Sequence, residues 1–378
     1  MIKSKTVCEY FAGIGLVRMG LESNGWRVVF ANDISEKKSE MYKAFYPDSN
    51  NHYVIGDVFD LDPLQIPTST LATCSFPCID LSLAGNMSGI NGKHSSAYWG
   101  FINVLRTQGD YAPRIVMVEN VPGWLRSNGG ADFRLTVQAL NELGYACDVF
   151  TVDALRFSPQ SRLRVFLIGL KDYKFPDAAW SILTRSSGLL SSSLKTCILD
   201  NLDLDWTYME VPEPPSLKDG GLSSTLEKID EKDTRWWSDE DVWKHMNMMD
   251  EAHYLRVKQL AAQEEFSYRT FFRRRRNGEQ RAEVRDDDIS GCLRTAIGGS
   301  GRQFIIKAGF GGIYMRAMTP REYARLQGVP DSYRISVPEV QALTGFGDAV
   351  CVPVISWIAK NVLDHLLLKT PREEVALV

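Results

Sequence analysis

An α/β fold, with helices on both faces of a sheet, is predicted by three observations. Short apolar runs of strand length alternate with amphipathic stretches of helix length between residues 6 and 170. Several of these runs stop at a glycine or a carboxylate, as strands do where an α/β sheet presents its ligand edge. The chain is also long enough for a sizeable core: 378 residues, 44% hydrophobic and 24% charged.

The elements follow in order. Residues 6–10 form the first strand and run into Phe11-Ala12-Gly13-Ile14-Gly15, ahead of a helix pattern at 17–22. A second apolar run at 26–31 ends at Asn32-Asp33, a third at 54–57 ends at Asp57, and a fourth covers 71–74. The fifth, 114–118, stops at Glu119-Asn120. A helix pattern follows at 133–143, with Gly144 in a C-cap position, and another strand at 164–170. After Lys171 the texture turns irregular through residue 300, with a Ser-rich stretch, a Pro-rich turn at 212–215, Trp236, Trp237 and Trp243, and an Arg-rich block. This region reads as a second, smaller domain, and the final stretch regains order.

Composition narrows the function. Lys and Arg number 43 against 47 Asp and Glu, a net charge of −4, so a polyanionic partner requires locally concentrated basic residues. Seven cysteines, an odd number, fit reduced thiols in a cytoplasmic setting. Cys74 and Cys78 find no second Cys or His pair to complete a zinc set, so no metal is expected. The first residues lack an apolar signal core, and no apolar run approaches the ~20 residues that span a bilayer, so no membrane association is expected.

Three constellations carry chemistry. Gly13 and Gly15 between strand and helix suit either a tight turn or backbone approach to a ligand. Arg18 stands where the dinucleotide fingerprint has its third glycine, but Asp33 and Asp57 at strand ends favour a nucleoside cofactor. Cys78, after the stiffening Pro77, reads as a nucleophile or as a small buried hydrophobe. Glu119, directly after four apolar residues, needs a partner or a job. Arg162 and Arg164 alternate at the start of a strand; if that strand is antiparallel, Cys, Glu and Arg converge beside the nucleoside site. Thr319-Pro320-Arg321-Glu322 is a capping box that opens a helix carrying Arg321 and Arg325.

Together these segments resemble the ordered motif set of the DNA cytosine-5 methyltransferase family. The resemblance covers residues 6–170 and 291–360: Phe11-Ala12-Gly13-Ile14-Gly15, Asn32-Asp33, Gly56-Asp57, Phe76-Pro77-Cys78, Glu119-Asn120-Val121, 160–164, 316–331 and Gly347-Asp348-Ala349-Val350. It implies a Rossmann-like class I methyltransferase fold that binds S-adenosylmethionine, with a smaller, irregular target recognition domain. The implied division is catalytic domain 1–171, recognition domain 172–339, and 340–378 completing the catalytic domain beside the N-terminal motif. Phe11 is implied to stack on adenine, Asp33 to hold the ribose and Asp57 to reach the adenine edge. Gly13, Gly15, Leu16, Ile34, Val58, Pro77, Tyr98, Asp348 and Val350 complete the implied cofactor pocket. Cys78 is the implied nucleophile at cytosine C6, Glu119 holds N3, Arg164 binds near O2 and Arg162 supports the site.

In the region corresponding to the recognition domain, residues 269–276 mix basic and aromatic residues and end in Arg273, Arg274, Arg275 and Arg276, which suit phosphate contact and guanine readout; a solvated basic face, partly balanced by Asp286-Asp287-Asp288, is the plainer reading. Ser82, Arg294, Gly298 and Gly299 are further DNA contacts by resemblance. The implied partner is double-stranded DNA, with a cognate restriction endonuclease as a separate protein, and the chain is expected to be a monomer. Two rivals stand beside this reading: a tRNA cytosine-5 methyltransferase and a non-catalytic DNA-binding relative. The chain also departs from the pattern. Glu9 replaces Asp, Leu16 replaces a second glycine, Cys74-Ser75 replaces a glycine pair, and the segment from His94 lacks the usual Arg-Gly. Asp348 replaces an Asn, which puts a negative charge near the cofactor and brings in altered cofactor affinity or choice as an alternative.

Overall fold

The computed structural model describes residues 4–77, 89–90, 92, 95–171, 173, 175–216, 221–230, 232–276, 278–295 and 301–368. Eleven strands lie among these residues: β1 Thr6–Tyr10, β2 Arg27–Asp33, β3 Tyr53–Ile55, β4 Leu71–Cys74, β5 Ile115–Asn120, β6 Tyr145–Asp153, β7 Leu163–Lys171, β8 Ser267–Arg276, β9 Glu279–Val284, β10 Gln303–Gly309 and β11 Gly312–Ala317. The helices are α1 Leu16–Glu22, α2 Glu36–Phe45, α3 Ala97–Gln108, α4 Ala131–Glu142, α5 Ala178–Ile182, α6 Ser192–Leu199, α7 Asp239–Met246, α8 Glu251–Ala261, α9 Pro320–Leu326, α10 Glu339–Asp348, α11 Val352–Ile358 and α12 Asp364–Leu368.

The chain divides into two compact units. The first comprises residues 1–153, 163–214 and 352–378. Its sheet has the order β3-β2-β1-β4-β5-β7-β6. β3, β2, β1, β4 and β5 are parallel, and most residues of β2, β1, β4 and β5 are buried, as in a sheet covered on both faces, whereas Val54 and Ile55 of the edge strand β3 are exposed. β7 runs antiparallel between β5 and β6. The core holds Tyr10, Phe76, Tyr98, Phe101, Trp124, Phe133 and the inward faces of β4 to β7.

The C-terminal segment closes this unit against α1. Trp26 donates from Nε1 to Asp364 at 2.9 Å, and Lys5 pairs with the same carboxylate at 2.8 Å. Gly20 lies so close to α11 that a Cβ there would sit 2.6 Å from the Ile355 Cβ and 2.9 Å from the Val352 carbonyl.

The second unit comprises residues 154–162 and 215–351. It holds an antiparallel sheet of order β11-β10-β8-β9. One face packs Phe271, Phe304, Ile306 and Met315 against Trp237, Met246, Val257 and Leu260. α9 begins with the expected capping box: the Thr319 side chain accepts from the Glu322 amide, and Glu322 returns to the Thr319 amide at 2.9 Å. Pro320 fills the first helical turn, and Gly328, at φ +75°, follows the helix end.

Several expectations differ from what the fold shows. Residues 172–300 are not irregular throughout, since they carry α5 to α8 and the β8–β9 hairpin. β6 was not foreseen. Residues 175–214 belong with the first unit, because Arg185 grips the buried Asp148 of β6 at 2.5 and 2.6 Å and Trp206 stacks on Phe133. Residues 340–351 fall in the second unit rather than with the segment after them. Among the described residues, the stretch 339–367, in which α10 and α11 are separated by residues 349–351, has by length and composition alone the apolarity of a membrane span, and 67% of its apolar window is buried within the protein.

Gly20→Ala should lower stability by roughly 1 kcal/mol, the middle of the range left when the ~1 kcal/mol gain in helix propensity is set against the clash with α11 (typically ~1–3 kcal/mol). A urea unfolding midpoint that stays at the wild-type value would contradict this packing.

Candidate active site

Strand order creates a crevice. β1 and β4 are neighbours, but the chain leaves β1 toward β2 and leaves β4 toward β5. Loops that depart in opposite directions leave a gap at the carboxyl ends of these strands, which is where open α/β sheets bind ligands.

The loop after β1 is held from three sides. Phe11, partly buried, has a left-handed φ of +59°, and Gly13 and Gly15 follow at +57° and +81°. Asp33, at the end of β2, accepts from the Gly13 and Ser35 amides, each at 2.8 Å. The Tyr53 hydroxyl donates to the Gly13 carbonyl at 3.3 Å, and the Tyr46 hydroxyl to the Gly15 carbonyl at 2.8 Å. The two glycines differ in purpose. A Cβ on Gly13 would meet nothing nearer than 3.9 Å, so that side is open to a ligand. A Cβ on Gly15 would lie 2.5 Å from the Tyr46 ring and 2.8 Å from the Tyr42 ring, so Gly15 serves packing rather than the expected ligand approach.

The neighbouring expected residues separate in the same way. Leu16 and Val58 are buried, whereas Ile34 is 67% exposed. Asp57 accepts from the Phe59 amide at 3.1 Å and opens the turn 58–60.

Beneath this loop lies a charge cluster that sequence reasoning missed. Arg18, in the third glycine's place, is buried and donates to both Asp48 oxygens at 2.9 Å and to Glu22 at 2.8 Å. Its guanidinium stacks on Tyr46 at 3.9 Å and touches Tyr42 and His52. The spacing of Tyr42 and Tyr46, one helical turn apart and followed by Tyr53, was the available signal. Glu9 is buried beside this cluster, and neither of its oxygens makes a hydrogen bond. Burial outweighs the opposing influence of the nearby Arg18 charge, and pushes the Glu9 carboxyl up to about 8.

The segment after β4 is anchored as far as Pro77. The Phe76 ring packs against Tyr98 at 5.2 Å and Trp124 at 6.0 Å. Its carbonyl accepts from Asn120 Nδ2 at 3.2 Å, and the Pro77 carbonyl accepts from the Ser95 hydroxyl at 2.9 Å. Cys78 and Ser82 lie outside the described residues. Tyr98 is a correction: it is fully buried in the core and donates its hydroxyl to the Thr136 carbonyl at 2.9 Å, so it is placed as a packing residue and not in a cofactor pocket.

Glu119 has the partner its burial requires. β7 runs antiparallel to β5 with Glu119 opposite Phe166, so Arg164, two residues from Phe166, lies on the same face. Arg164 Nε sits 3.1 Å from Glu119 Oε1, and both side chains are largely buried. Arg162 has other surroundings, within the second unit. It precedes the strand, and its guanidinium donates to the carbonyls of Leu293, Gly347 and Ala349 at 2.9, 3.1 and 2.6 Å.

The remaining expected residues also lie in the second unit. Asp348 ends α10 and is exposed, while Val350 is buried. Gly347 packs against the backbone at Arg294, whose carbonyl would be 2.4 Å from an added Cβ; Arg294 itself is exposed. Arg273 to Arg276 end β8, and Gly298 and Gly299 lie outside the described residues. Among the described residues no cluster of His, Cys, Asp or Glu could hold a metal.

The sequence profile described as C-5 cytosine-specific DNA methylase matches residues 5–364. The chain is 25% identical over 371 residues to the Type II methyltransferase M.HaeII of Haemophilus aegyptius, covering 98% of this chain and 96% of that one. It is 24% identical over 376 residues to the Type II methyltransferase M.HhaI of Haemophilus parahaemolyticus, covering 96% and 95%. In fold it is similar to the Dnmt2 methyltransferase of S. pombe (TM-score 0.60, 17% identity, 96% of this chain and 98% of that one). The methyltransferase EhMeth of Entamoeba histolytica is similar in the same way (TM-score 0.62, 15% identity, 96% and 99%).

The Glu9 environment sets a pH dependence. The folded chain keeps this proton up to about pH 8, whereas an unfolded Glu releases it near ~4.3. The folded state therefore binds more protons between those values, and stability falls as pH rises through that window. Glu9→Gln lacks this loss, so its melting temperature should gain on wild type from pH 5 to pH 8; a constant difference would contradict the assignment.

Proposed function

Because this chain belongs to the C-5 cytosine-specific DNA methylase family and is a DNA cytosine-5 methyltransferase, we propose that it methylates C5 of a cytosine flipped out of double-stranded DNA within one specific sequence, using S-adenosylmethionine. The observation that supports this reading most is the Glu119–Arg164 pair, at 3.1 Å on the edge of the sheet where β4 leads toward Cys78.

The cofactor's requirements match the β1 crevice. Phe11 offers a ring face, Gly13 leaves its flank open, and Asp33 and Asp57 place carboxylates at the ends of β2 and β3 for ribose and adenine. Pro77, which follows β4 on the same unit, adds an apolar wall to that crevice. When bound, S-adenosylmethionine supplies an electrophilic methyl group. Asp348 closes the helix α10, whose carboxyl end already carries partial negative charge, so its own charge weakens cofactor binding where an Asn would not.

Cytosine C5 is a poor nucleophile, and Cys78 overcomes this. Its thiolate bonds to C6, while Glu119 holds the N3 edge in protonated form and Arg164 binds near O2. The C5–C6 electron pair then becomes enamine-like, and C5 would take the methyl group as the methyl–sulfur bond breaks, with S-adenosylhomocysteine as the leaving group. Water removes the C5 proton, the double bond re-forms, and the Cys78 thiolate leaves. A free thiol of pKa ~8.5 is only a few per cent ionised near pH 7, so the attack on C6 draws on a thiolate fraction that the protein has to raise. Arg162 supports this site by fixing the backbone around 347–349. Extruding the base costs a few kcal/mol, which contacts from the second unit, the target recognition domain, repay. Arg294, Gly298, Gly299 and some of the arginines that end β8 provide those contacts, and Ser82, which belongs to the first unit, adds another. The Type II relatives make a restriction endonuclease the natural separate partner.

The test is transfer of labelled methyl groups to mixed double-stranded DNA and to tRNA, followed by base-resolution mapping. Wild type should modify cytosine in one short DNA motif, Cys78→Ala should abolish transfer, and Asp348→Asn should tighten cofactor binding. Transfer to tRNA alone, or a Cys78→Ala variant that keeps wild-type activity, would overturn the reading.

A further inference from the structure

β8 ends in four consecutive arginines, and strand alternation divides them. Arg274 and Arg276 share one carboxylate: Glu283 of β9 lies 2.6 Å from Arg274 Nε and 2.9 Å from Arg276 Nη2. Arg274 also packs on Phe272. Both guanidinium groups are thus held by one carboxylate within the unit, which lowers their joint charge from two to one.

Arg273 and Arg275 point to the other face, and their cross-strand neighbours, Ala282 and Gln280, carry no charge. Arg275 is exposed and has no ion pair among the described residues. Arg273 is partly buried, with its guanidinium 4.8 Å from the centre of the Phe304 ring and its Nε buried without an acceptor. The charge nearest to it in effect is another cation, Arg302, and Arg302 has its own partner in Glu339. Burial and Arg302 together push Arg273 below the usual guanidinium range, as befits a cation with no anion.

Keeping a partly desolvated cation with no carboxylate beside it costs stability. A leucine or methionine would cover Phe304 without that cost, so packing does not account for an arginine here. The guanidinium is instead held in place by the ring beneath it, with its ordering paid in advance. A planar donor fork fixed in this way suits bidentate recognition of a base edge, and guanine, with O6 and N7, is the edge an arginine fits. Arg275, solvated and free to reorient, suits a phosphate.

We propose that Arg273 and Arg275, and not Arg274 and Arg276, are the residues of this strand that meet DNA: Arg275 at a phosphate, and Arg273 at the edge of a guanine in the target sequence. This rests on the reading of the chain as a DNA methyltransferase with its second unit as the recognition domain.

The experiment compares the full chain with Arg273→Gln, Arg273→Lys, Arg274→Gln, Arg275→Gln and Arg276→Gln. Duplex binding is measured across a salt series, methylated cytosines are mapped at base resolution, and thermal melts check folding. Arg275→Gln should weaken binding to all sequences alike and reduce the log–log salt slope by about one. Arg274→Gln and Arg276→Gln should change the slope by less. Arg273→Gln should cut methylation of the recognised sequence roughly ten- to a hundred-fold and admit sequences that differ at one guanine. Arg273→Lys keeps the charge, so it should retain the salt slope while losing the discrimination; it carries the test if Arg273→Gln fails to fold. Equal slope losses at Arg274 or Arg276, or an unchanged methylation map in the Arg273 variants, would overturn the proposal. Wild type that binds DNA without methylating it would instead overturn the functional reading, and the salt slopes would still judge the arginines.

Discussion

The active-site edge depends on the reversal of one strand. β7 enters the sheet antiparallel between β5 and β6, so its beginning lies beside the ends of the parallel strands. That single reversal puts Arg164 on the same face as Glu119 and 3.1 Å from it. Without it, Glu119 would be a carboxylate at the end of a buried strand with no counter-charge, which a folded protein tolerates poorly. The pair is therefore both a structural necessity and a fixed, largely dehydrated arrangement of one acceptor and one donor at the carboxyl-end edge of the sheet, where the proposed reaction would use it. Neither residue has to be ordered at the moment of reaction.

The crevice next to it is prepared by different means. Two tyrosine hydroxyls and one carboxylate hold the backbone of the loop after β1, so the open flank at Gly13 is fixed before any ligand enters. Arg18 supports the tyrosines from below with a network of ion pairs. A glycine at that position would let helix and strand pack closely. Here a long cationic side chain fills the space, and the adjacent Glu9 is left with a raised affinity for its proton. In both places, polar groups that folding forces out of water are arranged where they can serve binding.

Much of this was legible in the sequence, and the gaps have physical causes. β1 and β4 were readable to the residue because parallel strands covered on both faces are continuous apolar runs. The capping box at Thr319 was readable because it is a local device. β6 was missed because Asp148 interrupts its apolar run, and the partners that make that carboxylate tolerable inside a sheet, Arg185 and the Met209 amide, are distant in sequence. The sheet of the second unit was missed because its strands bury Thr270, Gln303, Lys307 and Arg316, which carry no apolar alternation. The resemblance offered Tyr98 as a cofactor residue, but its ring fills the core under Phe76. For the four arginines of β8 the sequence gives a run of charge; which of them are already paired depends on Glu283, a residue of the next strand.

The most direct test of the chemistry uses duplex DNA in which the target cytosine carries fluorine at C5. After methyl transfer no proton remains at C5 to be removed, so the Cys78–C6 bond cannot be broken. The account predicts a stable protein–DNA adduct that mass spectrometry locates at Cys78. A chain that methylates ordinary DNA yet forms no adduct, or forms it at Cys292 or Cys351, would contradict it.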